Sequence, residues 1–263
     1  MIAIIVPKKH QVHMMIRSMG LKHIKNYKEF QLYKTKAQKE VVLIESGTGR
    51  EKAELITERI IEEFNPKLII SAGYSEGVKS TVKSTQLLLC KNLYLLNDVP
   101  AAWSPKDFEG PIKSDETILD SISKDLDQFG MEHTLVDCLS LPCPVSQVEL
   151  KNWLGVNFPV EIVDICAYTI GDIAIRHKIP FLILRTALFN LDERKPKFVS
   201  KIFESNSDRG IIKTIPYIIT NPVRILELIR LSKQSKKNQE TLSKALEKVL
   251  VFLKDSGEKL DDC

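Results

Sequence analysis

Residues 41–72 read VVLIESGTGREKAELITERIIEEFNPKLIISA, and their pattern points to an α/β chain. Val41–Glu45 is apolar and rich in β-branched residues, the composition of a buried strand. Ser46-Gly47-Thr48-Gly49 closes it with a turn. Arg50–Phe64 then places Ala53, Ile56, Ile60 and Phe64 at spacings of 3, 4 and 4, which is one apolar helix face. Asn65-Pro66 stops that helix, and Leu68–Ala72 is strand-like again. Strand, glycine turn, helix, strand is a βαβ unit, which implies parallel strands joined by a right-handed crossover.

The same logic extends in both directions. Ile2–Val6, ended by Pro7, predicts a first strand, and His10–Met19 a helix. Downstream, Gln86–Cys90 and Thr134–Cys138 read as strands, and Thr117–Phe129 and Val145–Leu154 as helices. Leu96–Pro111 holds Pro100, Pro105, Gly110 and Pro111 and reads as a loop. Val160–Ile165, Ala167–Lys178 and Ile179–Leu184 form a second strand–helix–strand. After residue 205 the chain changes character. Asn221-Pro222 is a helix start, and Leu242, Ala245, Leu246, Val249, Leu250 and Leu253 mark a second amphipathic helix. The expected organisation is an α/β domain over residues 1–205 with a helical extension over 206–263 packed on it.

Composition narrows the function. With 263 residues, 43% hydrophobic and 27% charged, disorder and collagen are excluded. A net charge of +4, from 38 basic and 34 acidic residues, argues against a nucleic-acid partner. No apolar run approaches the roughly 20 residues of a bilayer-spanning helix. The N-terminal MIAIIVPKKH places its charges after the apolar run, the wrong order for a secretory signal. The five cysteines (90, 138, 143, 166 and 263) form no CxxC pair, so neither a disulfide framework nor a zinc site is expected. A reducing, cytoplasmic setting follows. His10 and His13 share a helical spacing, but no third ligand lies nearby, and no metal is expected.

Three segments carry candidate chemistry. The turn Ser46-Gly47-Thr48-Gly49 joins a strand to a helix, so its N–H groups can face an anion or a ribose edge, and Arg50 can add charge-assisted bonds. The second is Ser71-Ala72-Gly73-Tyr74-Ser75-Glu76-Gly77, after another buried strand. Strand ends of this kind form ligand crevices in open α/β sheets. The third runs Val163-Asp164-Ile165-Cys166-Ala167, then a helix, then IPFLILRT at 179–186.

At this third segment the chain resembles the nucleoside phosphorylase and nucleosidase superfamily. Four blocks stand in family order: Ile2–Val12, Val42–Ala53, Pro66–Leu89 and Val163–Asp192. They are similar to the family's first strand and helix, its ESGxG turn, its PDxIINxGxAGG strand and its VEMEA…PFxxxRxxSD unit. The tail over Gly210–Ala245, with TNPVRILELIRLSK, looks most like the hopanoid-associated phosphorylase branch. The resemblance implies a three-layer fold with a central mixed sheet flanked by helices. It implies cleavage of the bond between ribose C1′ and a purine nitrogen, without a cofactor and with inorganic phosphate or water as the attacking group. It further implies a homo-oligomer, because sites in this family often borrow residues from a neighbouring subunit.

Carried over by position, the chemistry is depleted. Gln11 stands where the family's nucleosidases place a water-activating Glu. Cys166 stands on the ribose-binding Glu of MEA. Phe189 falls on the proton-donating Asp of RxxSD, with Asn190 one residue beyond. Tyr74-Ser75-Glu76-Gly77 replaces a small SAGG turn, and Glu76 is a candidate for a missing carboxylate. Gln11 and Asn190 are therefore the candidate, though degenerate, catalytic positions. Ser46, Gly47, Thr48, Gly49, Arg50, Gly73, Tyr74, Ser75, Glu76, Ile165 and Cys166 are the candidate binding residues. Arg185, ending a buried strand, reads as a structural ion-pair partner, and Trp103 and Trp153 as packing anchors. Arg224, Arg230, Lys233, Lys236 and Lys237 beside an apolar stripe allow peripheral membrane contact, although a solvated basic face is the commoner meaning. Two expectations stand together: an enzyme of purine-nucleoside cleavage, and a catalytically impaired relative that binds a nucleoside-like ligand or acts as a partner in an assembly.

Overall fold

The protein is described by a computed structural model that covers residues 1–27, 30–34, 41–98, 108–145, 147–194 and 222–255. Trp103, Cys263 and the expected boundary at residue 205 lie outside these residues. The elements are β1 (Ile2–Val6), a 3-10 turn (Lys9–Val12), α1 (His13–Ser18), β2 (Lys22–Tyr27), β3 (Phe30–Lys34), β4 (Val41–Glu45) and α2 (Arg50–Phe64). Next come β5 (Leu68–Gly77), β6 (Leu87–Leu96), β7 (Phe108–Lys113), α3 (Glu116–Gln128), β8 (His133–Ser140) and α4 (Val148–Asn157). The last are β9 (Ile162–Asp164), α5 (Ala167–Arg176), β10 (Phe181–Phe189) and α6 (Pro222–Asp255).

The predicted βαβ unit is present: its first strand and its helix have the predicted bounds, and its second strand starts at Leu68 as predicted but runs on to Gly77. β1 pairs in parallel with β4 on one side and β5 on the other. The mixed sheet then closes on itself. β5 pairs with β10, β10 with β6, β6 with β8, β8 with β9, and β9 returns to β5. This ring of five strands removes the exposed edges that an open sheet would leave. Beyond β5 the sheet continues through β1, β4, β3 and β2.

Helices cover both faces, giving the three expected layers. On one face, Ala53, Ile56 and Ile60 of α2 and Ile170, Ile173 and Ala174 of α5 pack against Ala3, Ile5, Ile69 and Ile183. On the other, Leu119 and Ile122 of α3 and Leu242, Leu246 and Val249 of α6 pack against Ile4, Leu43, Ile70 and Leu184. Alternate residues of each central strand point to opposite faces, so a strand buried on both sides must be apolar throughout.

The structure corrects three expectations and adds a strand pair not expected from the sequence. His10–Met19 is not one helix but a 3-10 turn followed by a short α1. The strands β2 and β3 pair antiparallel with each other, and β3 pairs with β4. Their many polar residues hide the alternation that marks a strand. Part of the expected loop at 96–111 is strand, since β6 runs to Leu96 and β7 begins at Phe108. β7 is bonded only to β6 among the described residues, an edge position where Pro111 is tolerated. The two expected C-terminal helices are one, the 34-residue α6. No helix among the described residues is long and apolar enough to cross a membrane.

Candidate active site

The parallel strands β1, β4, β5 and β10 end on the same side of the sheet, and their ends surround a cavity of about 300 Å³. Pro7 and Gln11 line it after β1, and Gly47, Thr48 and Gly49 after β4. Tyr74, Ser75 and Glu76 come from β5, and Arg185 and Leu188 from β10. Val163, Asp164, Ile165 and Cys166 approach from β9 and the start of α5. The segment Leu141–Val145 after β8 completes the wall. Nine of the candidate residues named from sequence thus face one space: Gln11, Gly47, Thr48, Gly49, Tyr74, Ser75, Glu76, Ile165 and Cys166.

The other four do not line it, and each has a different task. Ser46 is buried, with its N–H donating to the Val6 carbonyl at 2.8 Å, which ties the turn to β1. Gly73 lies behind the wall. A Cβ there would come within 3.2 Å of Pro7 Cδ and 3.4 Å of Gln11 Oε1, so the glycine lets that turn close against β5. Arg50 points to the end of β6, donating to Asn97 Oδ1 at 2.8 Å and to the Leu96 carbonyl at 3.3 Å. Asn190 caps its own turn. Its Oδ1 accepts from the N–H groups of Asp192 (3.1 Å) and Glu193 (3.0 Å), and its own N–H donates to the Glu193 carboxylate at 3.1 Å.

Leu188 explains why Asn190 is displaced. The register of β10 against β5 pairs Ala187 with Ser75 and Phe189 with Glu76, so Leu188 is an extra residue in a β-bulge. The bulge turns Leu188 into the cavity and buries Phe189 outside it. At the strand end where the resemblance implies a proton donor, the cavity therefore meets an isobutyl group.

Asp164 is a carboxylate in the cavity wall, but its oxygens are occupied. It accepts from Ser140 Oγ at 2.7 Å, from the Ala167 N–H at 3.0 Å, and from Arg185 Nε and Nη2 at 3.0 and 2.8 Å. Arg185 also donates to the carbonyl and the hydroxyl of Ser71, each at 3.0 Å. Burial works against the Arg185 charge, but Asp164 and nearby groups outweigh it and hold the guanidinium above its ordinary pKa. Cys166 lies next to this network, its Sγ 4.0 Å from Arg185 Nη2. Burial, with the Asp164 charge adding to it, pushes its thiol up to about 12. It is a neutral thiol at physiological pH, neither a nucleophilic thiolate nor a strong acceptor.

Gln11 and Glu76 supply the remaining chemistry. Gln11 is 6% exposed, and its Oε1 has no hydrogen-bond partner among the described residues, so an acceptor waits at the cavity wall. Glu76 faces the cavity with its side chain 13% exposed, and its Oε2 lies 3.6 Å from Lys151 Nζ. Tyr74 wedges between the cavity and α6. Its hydroxyl lies 3.5 Å from the Ser235 carbonyl, and burial pushes it up to about 12.

Sequence reasoning missed Leu188, Lys151 and the Leu141–Val145 segment. The run Leu141-Pro142-Cys143-Pro144 was a visible break signal, but only the β8–β9 pairing places it at the strand ends.

Residues 1–212 match the family described as the Phosphorylase superfamily, and the chain belongs to it. The 5'-methylthioadenosine/S-adenosylhomocysteine nucleosidase of Staphylococcus haemolyticus (strain JCSC1435) is 30% identical over 154 residues, which is 56% of this chain and 67% of that protein. The corresponding nucleosidase of Staphylococcus epidermidis is 25% identical over 197 residues, 70% of this chain and 84% of that protein. Among solved structures, the native futalosine hydrolase of Helicobacter pylori strain 26695 aligns with a TM-score of 0.72 at 16% identity, covering 95% of this chain and 96% of that one. The Helicobacter pylori methylthioadenosine/adenosylhomocysteine nucleosidase with butyl-thio-DADMe-Immucillin-A aligns with a TM-score of 0.71 at 15% identity, covering 95% and 97%. These likenesses establish the expected fold.

Proposed function

We propose that this protein holds a purine nucleoside in the cavity at the strand ends and cleaves its N-glycosidic bond. The observation that carries the reading is the convergence of three separated segments, Gly47–Gly49, Tyr74–Glu76 and Ile165–Cys166, on one cavity, in a chain whose relatives are named as nucleosidases. Holding the base and sugar in fixed orientation lowers the barrier whatever the attacking group. Water is the favoured attacker. Arg50 is turned away to Asn97, and Arg185 is paired with Asp164, so neither cation is free for inorganic phosphate. No cofactor enters this chemistry.

A second reading has its own observation. Gln11 and Cys166 face the cavity where the resemblance implies carboxylates, and at the end of β10 Leu188 faces it instead of Phe189, the residue on the implied Asp. A protein built this way can bind a nucleoside and cleave it slowly or not at all. One experiment decides: adenosine, methylthioadenosine, adenosylhomocysteine and inosine are incubated with the protein, with and without phosphate, and free base is measured beside calorimetric binding. Base release at ordinary enzyme rates supports the first reading. Binding without release supports the second, and a phosphate requirement overturns the choice of water.

The tail's resemblance extends the substrate to an adenosyl-linked lipid of hopanoid-associated type, and a lipid-linked adenosine in the same assay tests it. Ile225, Leu226 and Ile229 are exposed on α6 beside Lys233, Lys236 and Lys237, which supports peripheral contact with an anionic membrane. Sedimentation with anionic vesicles tests that contact, and light scattering tests the homo-oligomer that the resemblance implies.

A further inference from the structure

Resting on the nucleoside-cleaving reading, we propose that Glu76 is the carboxylate that acts on the ligand in this cavity, and that Lys151 is its positioning residue. The placement is the first argument. Glu76 is the β5 residue opposite both Val163 of β9 and Phe189 of β10, so it stands where the strands carrying Asp164 and Arg185 meet. Asp164 and Glu76 are the two carboxylates lining the cavity among the described residues, and the oxygens of Asp164 are occupied.

Lys151 is the second argument. It projects from α4 with none of its side chain exposed. Its ammonium donates to the carbonyls of Asn190 and Glu193, both at 2.8 Å, and lies 3.6 Å from Glu76 Oε2. The Phe189 ring lies 5.8 Å from the ammonium. A fully buried ammonium is costly unless it is paired and hydrogen-bonded. Here the two carbonyls hold it in place and the carboxylate balances its charge. The charged groups facing it are Glu76 from β5 and Asp192 and Glu193 from the turn after β10. Burial lowers the Lys151 pKa and Glu76 opposes that change. The bulge at Leu188 and the capped turn at Asn190 thus serve the site indirectly, by presenting two carbonyls to Lys151.

The step is a hydrolysis. The water oxygen bonds to C1′ as the C1′–N bond breaks, and that bonding pair leaves on the ring nitrogen. Glu76 takes the proton that the water loses, and the ring nitrogen takes a proton from solvent. Glu76 is then the catalytic residue, while Lys151 acts through it.

The test compares wild type, E76Q, E76D, K151M and E76Q/K151M, reading kcat and KM for base release from methylthioadenosine and adenosine, nucleoside binding by calorimetry, and Tm. E76Q is expected to lose about 10²–10⁴-fold in kcat with little change in KM, and E76D to retain part of the activity. K151M is expected to lower kcat in the wild-type background and to have no further effect on E76Q. E76Q with wild-type kcat overturns the proposal. So does a K151M loss of equal size in both backgrounds, because it marks a purely structural lysine. E76Q and E76D leave Lys151 in place and decide the carboxylate's role even if K151M does not fold. A wild type that neither cleaves nor binds a nucleoside overturns the proposed function and this proposal with it. A working wild type beside an equally working E76Q overturns this proposal alone.

Discussion

Arg185 Nη2 lies 2.8 Å from Asp164 Oδ2, and their side chains are 1% and 3% exposed. The pair joins β10 to β9 and reaches β5 through Ser71 and β8 through Ser140. Four of the five strands of the closed ring are thus locked by one charge cluster beneath the cavity. The Asp164 carboxylate also accepts the Ala167 N–H, which fixes the first turn of α5.

Breaking that pair from one side leaves an uncompensated buried charge. Asp164→Asn and Arg185→Met are each expected to lower unfolding stability by about 3–5 kcal/mol in urea titrations. The double substitution Asp164→Asn with Arg185→Met is expected to cost less than the two singles combined. Singles within about 0.5 kcal/mol of wild type would show that the pair is solvated.

Cys166 is expected to stay unlabelled by iodoacetamide at pH 8, while the exposed Cys143 is labelled, as peptide mapping will show. An ordinary thiol has a value of 9.0, and burial raises that of folded Cys166 to about 12. The unfolded chain therefore ionises first. Stability is undiminished below about pH 9 and falls as pH rises toward 12, and Cys166→Ala should lessen that alkaline loss.

The bulge makes a directional prediction. Leu188→Asp places a carboxylate in the cavity and is expected to raise base release, within the roughly 10²–10⁴-fold range of general acid–base help. Asn190→Asp, two residues on, is expected to leave it unchanged, because that side chain faces its own turn. The opposite order in kcat would mean that β10 lacks the bulge.

The C-terminal helix is asymmetric along its length. Leu246 is fully buried against the sheet, whereas Leu226 is 68% exposed. Leu246→Ala is expected to lower stability by about 2–5 kcal/mol, and Leu226→Ala to leave it within about 0.5 kcal/mol in chemical denaturation. Equal effects would mean that α6 packs along its whole length.

Local patterns were readable where a segment's own burial determined them. Ile2–Val6, Val41–Glu45 and Arg50–Phe64 have the bounds that sequence predicts. An apolar run between glycine and proline, or a 3-4-4 spacing, specifies its element without help from distant residues. The strands β2 and β3 were not readable, because their polar residues hide the alternation and β3 owes its place to pairing with β4. Of the candidate site residues, Gly47–Gly49 after β4, Tyr74–Glu76 at the end of β5, Gln11, Ile165 and Cys166 reach the cavity, whereas Ser46 and Gly73 stand behind its wall. Arg50 and Asn190 look chemically competent in sequence, but nearby polar groups claim their side chains.

The sequence alone determined the strand–turn–helix units, which follow from residue type and short-range spacing, and it carries the resemblance that implies where carboxylates are replaced. Long-range packing sets the rest: the sheet closes into a ring, Leu188 rather than Asn190 faces the cavity, and Lys151 of α4 meets Glu76 of β5. Those outcomes depend on strand register and on contacts between residues far apart in the chain. A one-residue shift of register reverses which side chains face the ligand, and such a shift leaves no mark in local composition.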